Sequence, residues 1–503
     1  MKQCVLSLDQ GTTSSRAMLF DQNCRVLRTA RYEINQLFPR PGWVEQDPND
    51  ILSTQIQAAK QTVSKYISDV VAIGLANQRE TTIVWDRSTG RAICNAIVWQ
   101  CRRTAPIVQE LVAAGLYSYI RRITGLIPDA YFSGPKITWI LHNIPKAKSK
   151  ARKGDLLFGT VDTYLIWKLT GGRVHATDCS NASRTMIFDI NRRRWDQRLL
   201  DALEIPSDML PEVKPSNGTF GFTDKAFFGR EIPICGVLGD QQAALFGQAA
   251  FKKGSVKNTY GTGCFILSNV GQRFPVPRSE LLSTIAWSLD EKVTYALEGS
   301  VFIGGAVVQW LRDKLRIVQK NSDTEEIGRR TPDSGGIFFV PALTGLGAPY
   351  WDMYARGLII GITRDTTRNQ IIRAALESIC LQSVDVLDTM RASSGLRAKS
   401  LAVDGGASVN DFLMQLQADL LGFQVERPAI SETTALGVSF LAGLASGVFS
   451  DLEELRQLRK IERVFKPSIS EERRLRIRTD WKRAVERTLN WANPNSVSAS
   501  RRL

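Results

Sequence analysis

The sequence predicts an α/β protein built from two domain-sized halves. Three observations carry that expectation. Short apolar runs of strand length alternate with longer segments of helical period. A strand, a glycine turn and a second strand open the chain and recur at its middle, with Gly11 and Gly261 lying 250 positions apart. The chain has 503 residues, more than one ordinary core holds, since domains of about 100–200 residues are typical.

In chain order, Val5–Leu8, Arg16–Phe20 and Val26–Thr29 read as strands, being short, apolar and divided by turn residues. Helical patterns follow at Asp50–Ser68 and Thr104–Ala114, with strand patterns at Val70–Ala76, Thr82–Asp86 and Ile93–Val98. The second half opens with Ser255–Thr259, Cys264–Asn269, Ser283–Ser288 and Val293–Leu297, a run of antiparallel strands. Helices are expected at Ala306–Leu315 and Thr367–Met390, then a strand at Ser400–Val403 and a helix at Asn410–Leu421. No repeat of 20–50 residues is present, which argues against solenoids and propellers. The boundary between the halves is placed near Ala249–Gly254, giving domains 1–249 and 250–503.

Composition excludes several classes. Hydrophobic residues make up 43% and charged residues 23%, enough for large cores and unlike a disordered chain. The formal charge of +15 favours anionic partners without identifying them. Basic stretches lie at Lys146–Lys153, Arg192–Arg194 and from Arg456 onward; in the last, Leu475, Trp481, Val485 and Leu489 fall near helical spacing, which reads as a surface helix with a solvated face rather than a nucleic-acid site. The segment from Asn493 to Leu503 is expected to fray. The 8 cysteines are scattered with no C-x-x-C pair, and His142 and His175 are the only histidines. A disulfide scaffold, a zinc site and histidine-based nucleophilic catalysis are therefore poorly supplied. The apolar run Val5–Leu8 meets Asp9 too soon for a secretory h-region, and no run reaches the ~18–20 apolar residues of a membrane span. A reduced, soluble, cytoplasmic protein is expected.

Five segments can carry chemistry. In LDQGTTSSR (8–16) a strand delivers Asp9 to a turn where Gly11 allows close backbone approach and Thr12 and Thr13 can donate to phosphate oxygens. A carboxylate at a strand end also suits hydrated Mg²⁺, although the same pattern fits an ordinary hairpin with a polar tip. NTYGTGCF (258–265) repeats the device around Gly261 and Gly263, and no Walker-type P-loop is present. In VDGGASVNDF (403–412), Gly405 and Gly406 leave room for a flat ligand before a helix N-terminus; a plain strand–turn–helix connection reads the same way. In GVLGDQQAALFGQAA (236–250), Asp240 follows a strand at a helix start, where it is either an N-cap or a general base for a hydroxyl. Ala243, Gly247 and Ala250 there, and Ala435, Ser439, Gly443 and Gly447 further on, put small residues at spacing four, as close helix crossings require. In ANQRETTIVW (76–85), Arg79 and Glu80 are adjacent and can both reach one ligand only from a turn; donors and acceptors side by side suit vicinal hydroxyls, and Trp99 and Tyr131 can wall a small carbon skeleton. A surface ion pair with core aromatics is the plainer alternative.

Together, NQRETTIVW, NAIVWQCRRT, FGTVDTYLIWKLT, TDCSNASRTM, GDQQAALFGQ, NTYGTGCF and LTGLGAPYWD resemble the FGGY carbohydrate kinase family of the actin/hexokinase superfamily, over nearly the whole chain. The resemblance implies two ribonuclease-H-like domains around a cleft. It implies that Asp9, Gln10, Gly11, Thr12, Thr13, Ser14 and Arg16 form one phosphate hairpin and Gly261, Thr262 and Gly263 the other, with Gly305, Gln309, Gly405, Gly406 and Asn410 at the adenosine. Arg79, Glu80, Trp99, Tyr131, Asp240, Gln241 and Phe265 match the family's glycerol site, with Asp240 as the base. The implied reaction is ATP-dependent phosphorylation of glycerol to sn-glycerol 3-phosphate with Mg²⁺ near Asp9 and Asp240, releasing ADP, in a homodimer or homotetramer with no nucleic-acid or membrane partner. A kinase of a pentulose or tetritol on the same fold is the near rival, and a non-catalytic binding protein the distant one. Two places depart from the family pattern: His142, and the loop Lys225–Pro233, where only Arg230 matches the loop some bacterial members use for fructose 1,6-bisphosphate.

Overall fold

The computed structural model describes residues 3–275 and 280–493, so the expected fraying after Asn493 lies outside the described residues. Two mixed sheets organise the molecule. The first runs, in spatial order, Ile234–Gly239, Val70–Asn77, Cys4–Gln10, Ser14–Asp21, Val26–Glu33. Cys4–Gln10 pairs antiparallel with Ser14–Asp21 on one side and parallel with Val70–Asn77 on the other. The second sheet runs Leu282–Leu289, Lys292–Val301, Cys264–Gly271, Val256–Tyr260, Ser400–Asp404, Gln424–Pro428, Ile461–Phe465. Its Val256–Tyr260 likewise pairs antiparallel with Cys264–Gly271 and parallel with Ser400–Asp404. Without its two outermost strands the second sheet has the order and directions of the first, so the repeated opening in the sequence is a repeated sheet.

The strands form where expected because their runs are apolar on both faces; six of the seven residues of Cys4–Gln10 are buried, as a strand covered on both sides requires. The first helix spans Pro48–Val63, entered from Asp47, whose carboxylate accepts from the Asn49 N–H, with proline in its first turn. It ends five residues before the expected Ser68, in turns that lead to Val70. The long helix Arg368–Ser394 starts from a capping box between Thr367 and Gln370 and stops at the left-handed Gly395. The strand expected at Ile93–Val98 contracts to Ala96–Ile97, paired with Glu45–Gln46.

The halves are tied by two helices, Asp240–Gly247 and Thr433–Ala445; Ala243 and Gly247 of the first expected row lie at their crossing, and the second row needs correction. A Cβ on Gly437 would sit 1.9 Å from the Ala243 carbonyl oxygen, and one on Gly247 would sit 2.1 Å from that of Thr433. The crossing therefore uses Thr433 and Gly437, not the row Ala435, Ser439, Gly443, Gly447. Ala435, Val438 and Ala442 instead face the first sheet: the Ser7 hydroxyl donates to the Ala435 carbonyl at 2.7 Å, and Gly74 and Gly236 leave room for Val438 and Ala442. A helix can present two close-packing faces, and the row spacing alone does not say which meets which partner.

The helix Glu471–Glu486 exposes its charged face, and Leu475 with it, but Trp481 is buried with its indole N–H donating to Asp385 at 2.7 Å. It is an anchored helix rather than a merely solvated one. Among the described residues no helix is long and apolar enough to cross a membrane.

Candidate functional site

The cleft between the sheets is entered by both glycine turns. In the first, the Gly11 N–H donates to the Ser14 carbonyl at 3.0 Å. A lattice of amides supports the loop: Gln78 Nε2 donates to Gln46 Oε1 at 2.8 Å and Gln10 Oε1 at 3.2 Å, and Gln46 Nε2 donates to the Thr12 carbonyl at 2.6 Å. Trp99 Nε1 donates to the Thr12 hydroxyl at 2.9 Å, joining this turn to the aromatic wall. Arg16 lies 3.9 Å from Asp9 and pairs with Glu432 of the second half. Burial pushes the Asp9 carboxyl up to about 6; Arg16 opposes the rise and nearby Asp240 adds to it.

In the second turn the Gly261 N–H donates to the Gly263 carbonyl, and the Gly305 N–H to that of Gly261, both at 2.9 Å. Beside it lies a cavity of about 310 Å³ lined by Gly261, Thr262, Gly305, Gln309, Gly406 and Asn410, with Leu376, Ile379 and Leu413 as its apolar wall. Gly405 borders it with φ +86°, and a Cβ there would approach the Tyr260 carbonyl oxygen to 2.6 Å. Asn410 also serves the plainer role: its side chain accepts from the Leu413 N–H at 2.9 Å and caps the helix Asp411–Leu421.

Between the turns stands the group expected to meet a polyol. Arg79 and Glu80 do lie in a turn, immediately after the strand ending at Asn77, and Glu80 has φ +61°. That left-handed conformation is held by three donors on the Glu80 carbonyl: the Lys136 ammonium and the Ser133 and Thr82 hydroxyls, each at 3.1 Å. Asp240 is the first residue of its helix, with Gly239 at the cap position, so it is not the N-cap. Its Oδ1 receives the Gln241 N–H at 2.7 Å and Arg79 Nε at 3.2 Å, and its side chain keeps 29% exposure. Trp99 packs edge-on against Tyr131 at 5.6 Å and Phe265 at 6.1 Å between ring centroids, and Gln241 receives the Lys257 ammonium. Trp99 thus links the first turn, through Thr12, to Tyr131 and to Phe265 beside the second turn, and Asp240 lies against Arg79.

Four residues that sequence reasoning passed over complete it. Glu298, from the second sheet, accepts from Arg79 Nη1 at 2.5 Å and Nη2 at 3.1 Å, and from Arg184 Nη2 at 3.0 Å. Arg184 Nε donates to Glu80 at 2.7 Å. Burial alone would push the Glu298 carboxyl up, but Arg184 and Arg79 outweigh it and hold it at about 2. Burial also raises Glu80, against the same two arginines. Lys257 is pushed down to about 8 by burial, with Asp404 opposing. Asp404 accepts from the Thr259 hydroxyl at 2.5 Å and Gln248 at 2.9 Å. His142, expected to depart from the resembled pattern, meets Glu204 at the surface, and Arg230, the one residue of the loop Lys225–Pro233 expected to match it, donates to the Ile67 and Ser68 carbonyls.

For a cation the cleft offers Asp9 and Asp240. Among the described residues no cluster of three or more Asp, Glu, His or Cys side chains could cage a metal. One or two carboxylates suffice for Mg²⁺, which keeps most of its water and leans on substrate phosphates. A carboxyl raised by burial and a second acid is also one that a cation would stabilise in its charged form.

Comparisons with known proteins follow this geometry. The chain is 58% identical over 490 residues to "Glycerol kinase 2" of Thermotoga maritima, covering 97% of this chain and 99% of the relative. It is 57% identical to a glycerol kinase of Clostridium perfringens, covering 98% and 99%. Among solved structures, that of Plasmodium falciparum glycerol kinase with ADP superposes with a TM-score of 0.91 at 35% identity, covering 97% and 98%. A gluconate kinase from Lactobacillus acidophilus, at 23% identity and TM-score 0.85, shares the fold. Residues 4–247 match the N-terminal domain, and residues 256–446 the C-terminal domain, of one family, each match enclosing one of the two glycine turns. Two related sheets meeting over a cleft lined by both turns, and matches that span both halves, lead to one assignment: the chain belongs to the FGGY family of carbohydrate kinases.

Proposed function

We propose that the protein transfers the γ-phosphoryl group of ATP to glycerol, giving sn-glycerol 3-phosphate and ADP. The observation that carries this reading is Asp240: a partly exposed carboxylate near enough to Asp9 of the first turn to raise it, and tied at 3.2 Å to Arg79, whose guanidinium also meets the Tyr131 hydroxyl. The names of the relatives and of the ADP-bound structure support the same choice.

In phosphoryl transfer the protein does little covalent work, so positioning and charge stabilisation dominate. Arg79 and Glu80 fix two hydroxyls of the acceptor from their shared turn. The aromatic rings pack on its carbon skeleton and exclude water. Asp240 accepts the proton of the third hydroxyl as its oxygen attacks the γ-phosphorus in line with the leaving ADP oxygen. The Gly11 and Gly261 turns direct backbone N–H groups and threonine hydroxyls to the phosphates from opposite sides, and the 310 Å³ cavity takes the adenosine. Mg²⁺, when bound, would be held by Asp9 with Asp240 near it, and would neutralise charge on the nucleotide phosphates. A cytoplasmic homodimer or homotetramer is part of the same reading.

The test is ADP release from Mg·ATP measured with glycerol, erythritol, xylulose, ribulose and no acceptor. Release with glycerol far above the others is the expected result. Preferential release with a larger sugar would overturn the polyol assignment while leaving the kinase assignment in place.

A further inference from the structure

Glu298 is the one acid that the second sheet's Lys292–Val301 strand sends into the charge cluster of the first half. Side chains on a strand alternate, so Glu298 and Ser300 share a face. Ser300 pairs across the ladder with Phe265, placing the aromatic wall and the carboxylate on the same surface of the second sheet. Both partners of Glu298, Arg79 and Arg184, come from the first half. Glu298, Arg184 and Arg79 are all at most 2% exposed, so this is a desolvated pair geometry and not a surface contact.

The orientation of Arg79 follows from it. Glu298 engages both terminal nitrogens of the guanidinium, leaving the Nε edge as the one that meets Asp240. Gln242 and the Tyr131 hydroxyl lie at 3.3 Å and 3.5 Å from the same terminal nitrogens. We infer that Glu298 is a positioning residue for phosphoryl transfer: it holds the guanidinium end-on, prevents Arg79 from forming a two-pronged pair with Asp240, and so leaves Asp240 free to turn to the acceptor and keeps Arg79 aimed at it. The inference rests on the roles given above to Asp240 and Arg79. A guanidinium free to rotate pairs best with the nearest carboxylate, fork to fork, and a carboxylate paired in that way has both oxygens turned away from the acceptor. The groups facing this triad are Arg184, Glu80, Lys257, Gln242, Tyr131 and Ser300.

The experiment compares Glu298→Gln and Glu298→Asp with the parent enzyme, on whichever acceptor the parent phosphorylates best. For E298Q, KM for the acceptor should rise at least about fivefold while KM for ATP stays within about twofold. E298D keeps the charge and should restore most of the acceptor KM. If E298Q does not fold, E298D decides alone, with a smaller rise in acceptor KM at unchanged ATP KM. A purely structural residue would lower the melting temperature and the active fraction with parental KM values, and that result would overturn the inference. A parent that prefers a larger sugar but shows the same E298Q pattern would instead sink the glycerol reading and leave the role of Glu298 standing.

Discussion

The two glycine turns sit on equivalent strands of equivalent sheets, yet only one ends in charge. In the first half the middle strand carries Asp9 as its last residue but one, with Ala76 as its parallel neighbour. In the second half the position matching Asp9 is Thr259, and the acid has moved one strand over to Asp404, the parallel neighbour of Thr259. The displaced acid is satisfied locally by Thr259 and Gln248. Asp9 has Arg16 at 3.9 Å, itself engaged by Glu432, with Arg31 as a weaker opposing charge. The first turn is thus polar and electrostatically unsettled, and the second is neutral and backs onto an apolar cavity. One backbone device serves both ends of a nucleotide once a single residue decides where the charge stands.

The comparison can be broken most severely at the residue both turns flank. Asp240→Asn should lower kcat by about 10³-fold or more while glycerol binding, followed by quenching of tryptophan fluorescence, stays within a few-fold of the parent. Loss of binding with turnover preserved would contradict the role of Asp240. Next comes the direct contrast between the turns. Asp9→Asn should cost about 10²-fold in kcat, whereas Thr259→Val, at the matching position, should cost less than about fivefold. Equal losses would show that the asymmetry in charge has no functional weight.

A smaller effect belongs to the neutral side. Gly405→Ala forces a methyl against the Tyr260 carbonyl in a backbone region unfavourable to alanine, at a cost of about 1–3 kcal/mol. KM for ATP should rise about tenfold with the acceptor KM unchanged, measured by varying each substrate in turn. The smallest concerns pH and stability. Because the Asp9 carboxyl is raised from 3.8 to about 6, the folded state holds its proton more tightly than the unfolded state does. Stability should therefore fall as pH rises from about 4 to 6, by at most about 3 kcal/mol, and level off above that. Asp9→Asn removes this contribution, so without nucleotide or Mg²⁺ the variant should melt about 2–5 °C higher than the parent at pH 7.5 and no higher at pH 4. A variant that melts lower at both values would refute the assignment.

What the sequence disclosed was what lies close along the chain. The hairpins, the Arg79–Glu80 turn and the order of strands and helices are local patterns of apolar period and glycine placement, and they form largely as read. Glu298 escaped because nothing near it in LEGS marks an acid bound for a site; its partner Arg79 is 219 positions away and Arg184 is 114. Asp404 escaped for the same reason, its partners Thr259 and Gln248 lying 145 and 156 positions away, and Lys257 was concealed inside a strand. The second small-residue row failed differently, whereas Ala243 and Gly247 of the first do meet the partner helix. Their spacing correctly announces a close crossing, but Gly437, the residue that meets Ala243, lies in a row that reads no more strongly than its neighbours. Crossing geometry is a property of two helices and is not written in either one.

The placement of the helix Thr433–Ala445 bears on how such a protein can be divided. The chain order puts this helix among the elements of the second sheet, but its small-residue face lies on the first, against Ser7, Gly74 and Gly236. A gene cut between codons 249 and 250 would give a first product with the buried face of its own sheet laid bare, a sticky surface for a fragment expressed alone. The second product would carry a helix made to lie on the sheet it has lost. The two pieces are natural candidates for fragment complementation and poor candidates for independent expression, because each half is completed by a segment that the other carries.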